Sequence, residues 1–164
     1  MHHSGPRLHI IFGKIASGKS TLAKRLAAEP ATVLISEDVW LKTLFGEALQ
    51  TLEDYIRCSR LLRATMAPHV VALLQSGVSV VLDFAANTPA QRQWFREIVE
   101  VSGVGHALHV LDVSDDLCLA RLQRRNAEGS HPFTVTESQF HDFMQHVTRP
   151  GADEGFNLVI HGAD

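Results

Sequence analysis

The sequence predicts an α/β fold with a largely parallel sheet. Three observations predict it. Short apolar, β-branched runs alternate with helix-length segments along the chain. Breakers or capping residues punctuate them, among them Pro30, Ser36, Gly46, Gly77, Thr88-Pro89, Gly103 and Ser114. A glycine-bearing run, Gly13-Lys14-Ile15-Ala16-Ser17-Gly18-Lys19-Ser20, joins the first apolar run to the first helical segment.

The elements follow in order. Residues 8–12 are short, apolar and β-branched, as a buried strand requires. Residues 21–28 place Leu22 and Leu26 on one helical face. A second strand, 32–35, comes after Pro30. Ser36 caps a helix over 37–45, which Gly46 stops. Leu52, Tyr55, Ile56, Leu62, Met66, Val70 and Leu73 then recur at helical spacing, with Pro68 expected to kink or divide the segment and Gly77 to end it. The third strand, 78–82, runs into Asp83. Thr88, Pro89 and Gln91 form a helix start with a capping box, and that helix reaches about Ser102. The fourth strand is 106–113. Ser114 caps a helix from Asp115 to about Ala127, and a polar, breaker-rich loop fills 128–133. Thr136 with Gln139 opens a helix over 137–147, and 156–160 is the last strand. No repeat, linker or low-complexity tract divides the chain, so residues 1–164 are expected to form a single domain.

Composition narrows the function classes. The chain has 164 residues, 45% hydrophobic and 20% charged, enough for a sizeable core. No apolar run approaches the ~20 residues needed to span a bilayer. A formal net charge of −3 supplies no strong basic field for long nucleic acid. Cys58 and Cys118 are too few and too scattered for a zinc cage or disulfide framework, so buried free thiols and a reducing cytoplasmic setting are expected. The ten histidines are dispersed and form no H-E-x-x-H or Cys/His cluster. His106 and His109 point to opposite faces of one strand.

The Gly13–Ser20 run fits G-x-x-x-x-G-K-[ST], the P-loop pattern, in its required place between a strand and a helix. Its glycines let the loop curl so that main-chain N–H groups converge on a phosphate. Lys19 adds positive charge near the outer phosphates, Ser20 offers a hydroxyl to Mg²⁺, and the following helix adds its positive dipole end. Gly13, Ala16, Ser17, Gly18, Lys19, Ser20 and Thr21 are therefore the candidate nucleotide-binding positions.

Other candidates cluster at the carboxyl ends of the strands, where parallel sheets bind ligands. Asp38 falls in the first turn of the helix after the second strand, beside the phosphate site. There an ionised carboxylate can take the proton of an attacking hydroxyl or hold a water on Mg²⁺. Asp83, at the end of the third strand, is a candidate Mg²⁺ and substrate carboxylate. Arg92 and Arg96 share a helix face, and Arg92 is the candidate for substrate binding. Arg121, Arg124 and Arg125 lie at a helix end before the polar loop, which reads as a lid over about 121–137. A closing lid brings cations to a moving phosphoryl group and excludes water. Asp153 and Glu154 are expected in a solvated turn.

Together these residues resemble the compact P-loop kinases, the AAA-type kinase-like group near zeta toxins, chloramphenicol phosphotransferases and polynucleotide 5′-kinases. The resemblance rests on Gly13 to Thr21, on Ser36-Glu37-Asp38, on Val80-Val81-Leu82-Asp83 with Arg92 beyond it, and on Arg121-Leu122-Gln123-Arg124-Arg125-Asn126. It implies a three-layer fold with a five-stranded parallel sheet in order 2-3-1-4-5 and a short helical lid. It also implies Lys19 on the β- and γ-phosphates, Ser20 on Mg²⁺ and Asp38 as base. By the same match Arg121 stacks on adenine, Arg125 meets the transferring phosphate and Arg92 lies on the substrate side. Ala85-Ala86-Asn87 departs from the pattern, being small where acceptor contacts are expected.

The expected activity is ATP- and Mg²⁺-dependent transfer of the γ-phosphoryl group to a hydroxyl of a small molecule or nucleotide. Two alternatives stay open. A polynucleotide or RNA 5′-hydroxyl kinase shares the site but needs a positive approach for a strand. An ATP-hydrolysing switch releases phosphate without transferring it, and Asp38 with the lid arginines speaks against it.

Overall fold

The computed structural model describes residues 5–129 and 134–162. Five strands, β1 (Arg7–Phe12), β2 (Thr32–Ser36), β3 (Ser79–Asp83), β4 (Gly105–Asp112) and β5 (Leu158–Gly162), form one sheet. Their order is β2-β3-β1-β4-β5 and every pairing is parallel. Both central features follow from the apolar pattern. Strands β1 and β3 are apolar on both faces because helices cover both.

Alternation along β1 sorts the core into two layers. Leu8, Ile10 and Phe12 pack with Leu62, Met66, Val70, Phe95 and Ile98. These come from α3 (Leu52–Gln75) and α4 (Pro89–Ser102), with α2 (Glu37–Phe45) contributing Leu41. Ile11 on the opposite face packs with Leu22, Cys118, Leu122 and Phe140. Those belong to α1 (Lys19–Ala27), α5 (Asp115–Glu128) and α6 (Glu137–Met144). Both cysteines are buried and unbridged, as expected.

The expected caps form. Ser36, Thr88, Ser114 and Thr136 accept the N–H of Val39, Gln91, Leu117 and Gln139. Thr51 and Asp54 add a capping box to α3. At Thr88 the box differs in one partner: Gln91 Oε1 accepts from Asn87 N–H at 2.9 Å.

Pro68 does not divide α3, which runs unbroken for 24 residues. Its buried seam is Cys58, Leu62, Met66, Val70 and Leu74, whereas Leu52 and Ile56 face solvent. Pro68 and Ala64 are both exposed. The hydrogen bond that proline removes from the ladder thus falls on the solvent-exposed side of the helix, where its loss is least costly. Strand β5 begins at Leu158 and α6 ends at Met144, later and earlier than the apolar pattern suggests. Part of the expected lid, Ser130 to Phe133, lies outside the described residues. No described helix is long and apolar enough to cross a membrane.

Candidate active site

The Gly13–Ser20 loop sits between β1 and α1, with its bend enforced by contact and by backbone angle. A Cβ at Gly13 would collide with Ser17 Oγ and crowd Leu111 Cδ1 (3.2 Å) and Lys19 Cγ (3.3 Å), so any larger residue there would force these side chains to shift. Gly18 has φ +99°, in the left-handed region, and Ala16 has φ 62°. Ser17 N–H donates to Lys14 C=O at 3.1 Å, which ties off the turn. Ser17 Oγ is buried and without a partner among the described residues.

Helix α1 starts at Lys19 with no side-chain cap and no acidic residue in its first turn. The other five described α-helices are each capped by a serine or threonine. The first amides of α1 thus keep unmet hydrogen-bonding capacity at a positive dipole end, the arrangement that binds phosphate.

Asp83 joins the two polar side chains of this turn. Its Oδ1 lies 3.5 Å from Lys19 Nζ, and its Oδ2 accepts from Ser20 Oγ at 3.3 Å. Lys19 Nζ also donates to Phe84 C=O at 3.1 Å. Ser20 Oγ and the Asp83 carboxylate are hard oxygen donors, a set that suits Mg²⁺.

Two cavities meet at this loop. The larger, about 740 Å³, is lined by Ala16 to Leu22, Arg25, Leu111, Val113, Arg121, Arg125, His161 and Gly162. The smaller, about 350 Å³, shares Lys19, Ser20 and Arg125 and adds Asp38, Asp83, Tyr55 and Asn87. Thus Lys19, Ser20, Asp38, Asp83 and Arg125 converge, although the chain separates them widely. Arg121 Nη1 donates to Ser17 C=O at 3.4 Å, which holds α5 over the loop. Burial lowers the proton affinity of Arg125 and the charge of Asp38 raises it, so the two groups share one field.

The neighbours Glu37 and Asp38 part company. Asp38 is exposed to the smaller cavity, whereas Glu37 is buried. Glu37 accepts from Ser59 Oγ (2.8 Å), Arg63 Nε (3.2 Å) and Ala85 N–H (3.2 Å). It pins α2 and α3 to the end of β3, and so sets the direction of Asp38. Sequence inspection missed this role, because its partners lie far along the chain.

Arg92 requires a correction. Substrate binding was expected of it, yet it is fully buried, at 0% exposure. Its Nε and Nη2 grip the Glu154 carboxylate at 2.6 and 3.1 Å, and its Nη1 donates to the carbonyls of Ala86 and Thr148, both at 2.8 Å. No donor remains pointed at a cavity near the loop. Glu154 is correspondingly no solvated turn residue, and the hydrogen bonds from Arg92 hold its carboxyl below the usual range. Arg96 pairs with Glu100 and donates to Glu154 C=O.

A row of histidines also escaped the sequence pattern. His9 Nδ1 meets His109 Nε2 at 2.9 Å, and His109 Nδ1 meets His161 Nε2 at 2.9 Å. The register explains it. His109 stands opposite Ile11 and His161 opposite Leu111, so each histidine is displaced by two residues on the next strand. Burial, then the neighbouring charges, pushes His109 down to about 4. The rings lie in sequence rather than converging on a point, and the described residues form no metal-binding cluster.

Comparison with known proteins agrees with this architecture. An AAA domain model matches residues 8–150. No protein of curated function matches the chain in sequence. A solved structure from Chloroflexus aurantiacus j-10-fl superposes with a TM-score of 0.76 at 18% identity, covering 98% of this chain and 87% of that one. A sugar kinase from Janibacter sp. HTCC2649 gives 0.65 at 19%, over 96% of this chain and 85% of that one. The Mycobacterium tuberculosis APS kinase CysC, solved with AMPPNP and APS, gives 0.63 at 18%, over 98% and 90%. The chain belongs to the AAA domain family and has the five-stranded, three-layer fold of the small P-loop kinases.

Proposed function

We propose that the protein is an ATP- and Mg²⁺-dependent kinase that transfers the γ-phosphoryl group to a hydroxyl of a small molecule. One observation carries this reading. The uncapped start of α1, with Lys19 and Ser20 tied to Asp83, opens into a second cavity that holds Asp38 and shares Arg125. A phosphate-binding cavity with an adjoining acceptor chamber is what transfer needs and hydrolysis does not.

The loop amides and Lys19 bind and orient the triphosphate. Ser20 and Asp83 are the residues that would hold Mg²⁺, which when bound offsets phosphate charge. Asp38 orients the acceptor hydroxyl and takes its proton on a carboxylate oxygen. Arg125 faces both cavities and neutralises charge on the group in transit. Arg121 steadies the nucleotide side of the loop.

The test is transfer of label from γ-labelled ATP into a metabolite pool, with products separated and identified. Asp38→Asn is expected to keep ATP binding by calorimetry and to lower transfer at least a hundredfold. Unchanged turnover removes Asp38 from the mechanism. Release of phosphate with no labelled product favours the switch instead.

A further inference from the structure

The larger cavity has a far wall whose hydrogen-bonding character is adjustable. The sheet order sets what reaches that wall. Asp38 follows β2 and Asp83 ends β3, both on one side of β1, whereas β4 and β5 lie on the other. A nucleotide that rests its phosphates on the loop and aims its γ-phosphate at Asp38 must extend its nucleoside toward β4 and β5. There the cavity is lined by Leu111, Val113, His161 and Gly162, with Arg121 beside them. A volume of about 740 Å³ leaves room for a nucleoside next to the phosphates.

Leu111 and Val113 are apolar, and Arg121 only donates, with its Nη1 already on Ser17 C=O. Among the described side chains of that wall, His161 is the one able either to donate or to accept. Its Nε2 is turned to His109 Nδ1 at 2.9 Å, and its Nδ1 has no hydrogen-bond partner among the described residues.

The row behind His161 makes it adjustable. His9 Nδ1 meets His109 Nε2 at 2.9 Å as well. Two lone pairs cannot face each other at that distance, so each contact holds one proton. Burial keeps His109 neutral, and burial followed by the charge of Arg7 lowers the proton affinity of His9. Neutral rings carry one ring proton each, so the row has one proton more than its contacts use. That proton sits at one end or the other. In one order every ring is protonated on Nδ1, and His161 offers an N–H to the cavity. In the other every ring is protonated on Nε2, and His161 offers a lone pair. Passing from the first to the second moves both contact protons across to the neighbouring ring. The His161 Nδ1 proton leaves to water, and His9 Nε2 takes one up. Both end rings are half-buried, so solvent reaches each end. Neither order loses a hydrogen bond, and the net charge is the same in both.

Building on the kinase reading above, we propose that His161 contacts the nucleoside end of the phosphoryl donor and takes either hydrogen-bonding sense, so that ATP and GTP both serve. Adenine presents an amino donor where guanine presents a carbonyl acceptor. A side chain of fixed sense rejects the wrong partner strongly, because a polar group is then left unpaired. His161 meets either partner by a shift of protons along the row. Leu111 and Val113 impose no sense of their own.

Calorimetry on the full chain with Mg²⁺ tests this, at about pH 8, above the ordinary histidine value of about 6.5. ADP and GDP are expected to bind within tenfold of each other, and a larger gap overturns the proposal. His161→Leu is expected to weaken both at least fivefold and to leave the affinity for inorganic tripolyphosphate within twofold. Equal weakening of tripolyphosphate, or no weakening of ADP and GDP, overturns the nucleoside contact. NMR of isotope-labelled ring nitrogens reads the row directly. His161 is expected to be protonated on Nδ1 in one nucleotide complex and on Nε2 in the other. The same tautomer in both overturns the adjustable contact and leaves the phosphate site standing. Binding of neither nucleotides nor tripolyphosphate by the wild-type chain instead sinks the kinase reading beneath it.

Discussion

Arg92 and Glu154 meet in a two-pronged ion pair, at 2.6 and 3.1 Å, with the guanidinium wholly enclosed. The pair joins the start of α4 to the segment before β5, and the bonds to Ala86 and Thr148 complete the guanidinium's shell. Removing Arg92 takes the donor from the Ala86 and Thr148 carbonyls and the counterion from Glu154, whereas removing the Glu154 charge strands the enclosed guanidinium. Arg92→Met is therefore expected to destabilise the fold by about 3–5 kcal/mol. Glu154→Gln, which leaves the enclosed guanidinium without its counterion, is expected to cost a similar amount. Denaturant unfolding checks both. A stable Arg92→Met protein with a selective rise in acceptor KM would return Arg92 to the substrate.

The loop depends on contact between Gly13 and Ser17. Gly13→Ala places a methyl group where Ser17 Oγ already stands. The expected loss is about 1–3 kcal/mol of stability, with at least tenfold weaker ADP binding. Adding Ser17→Gly removes the obstruction, so the double variant is expected to bind ADP better than Gly13→Ala alone. Additive losses in calorimetry would show that the two residues do not oppose each other.

Arg125 borders both cavities, and Arg121 is bonded to the loop itself. Arg125→Ala is expected to lower kcat by about a hundredfold to a thousandfold with little change in ADP affinity. Arg121→Ala is expected to weaken ADP binding more than it lowers kcat. Steady-state kinetics beside direct ADP titration separates the two outcomes.

His109 gives the fold a pH dependence. Its folded value, about 4, lies below the ordinary histidine value of about 6.5. The unfolded chain therefore binds more protons between these values. Stability from the neutral His109 ring is full above about 6.5 and is lost as pH falls toward 4. His109→Gln is expected to flatten that slope and to cost about 1 kcal/mol at pH 7.5. Unfolding curves across the window check it, and an unchanged slope would assign the dependence elsewhere.

The local features were legible in the sequence for a physical reason. Strand and helix periodicity, the capping residues Ser36, Thr88, Ser114 and Thr136, and the Gly13–Ser20 loop each arise from contacts among residues close along the chain. Pro68 leaves α3 undivided, since the apolar pattern carries no information about whether the turn it weakens lies on the exposed side. Asp38 was placed by its position after β2, since strand ends in parallel sheets gather at one edge.

Three features were settled only by the tertiary structure. The burial of Glu37 waited on Arg63, Ser59 and Ala85, which hold its carboxylate while the neighbouring Asp38 stays exposed at the cavity. Arg92 was withdrawn from the site by Glu154. His9, His109 and His161 became neighbours through the stagger of β1, β4 and β5. The sequence by itself determined which segments fold and where the glycine-bearing loop turns from strand to helix, because short-range backbone geometry decides both. Which charges remain available beside that loop was decided by long-range pairing, because a buried ion is set by the counterion packed against it.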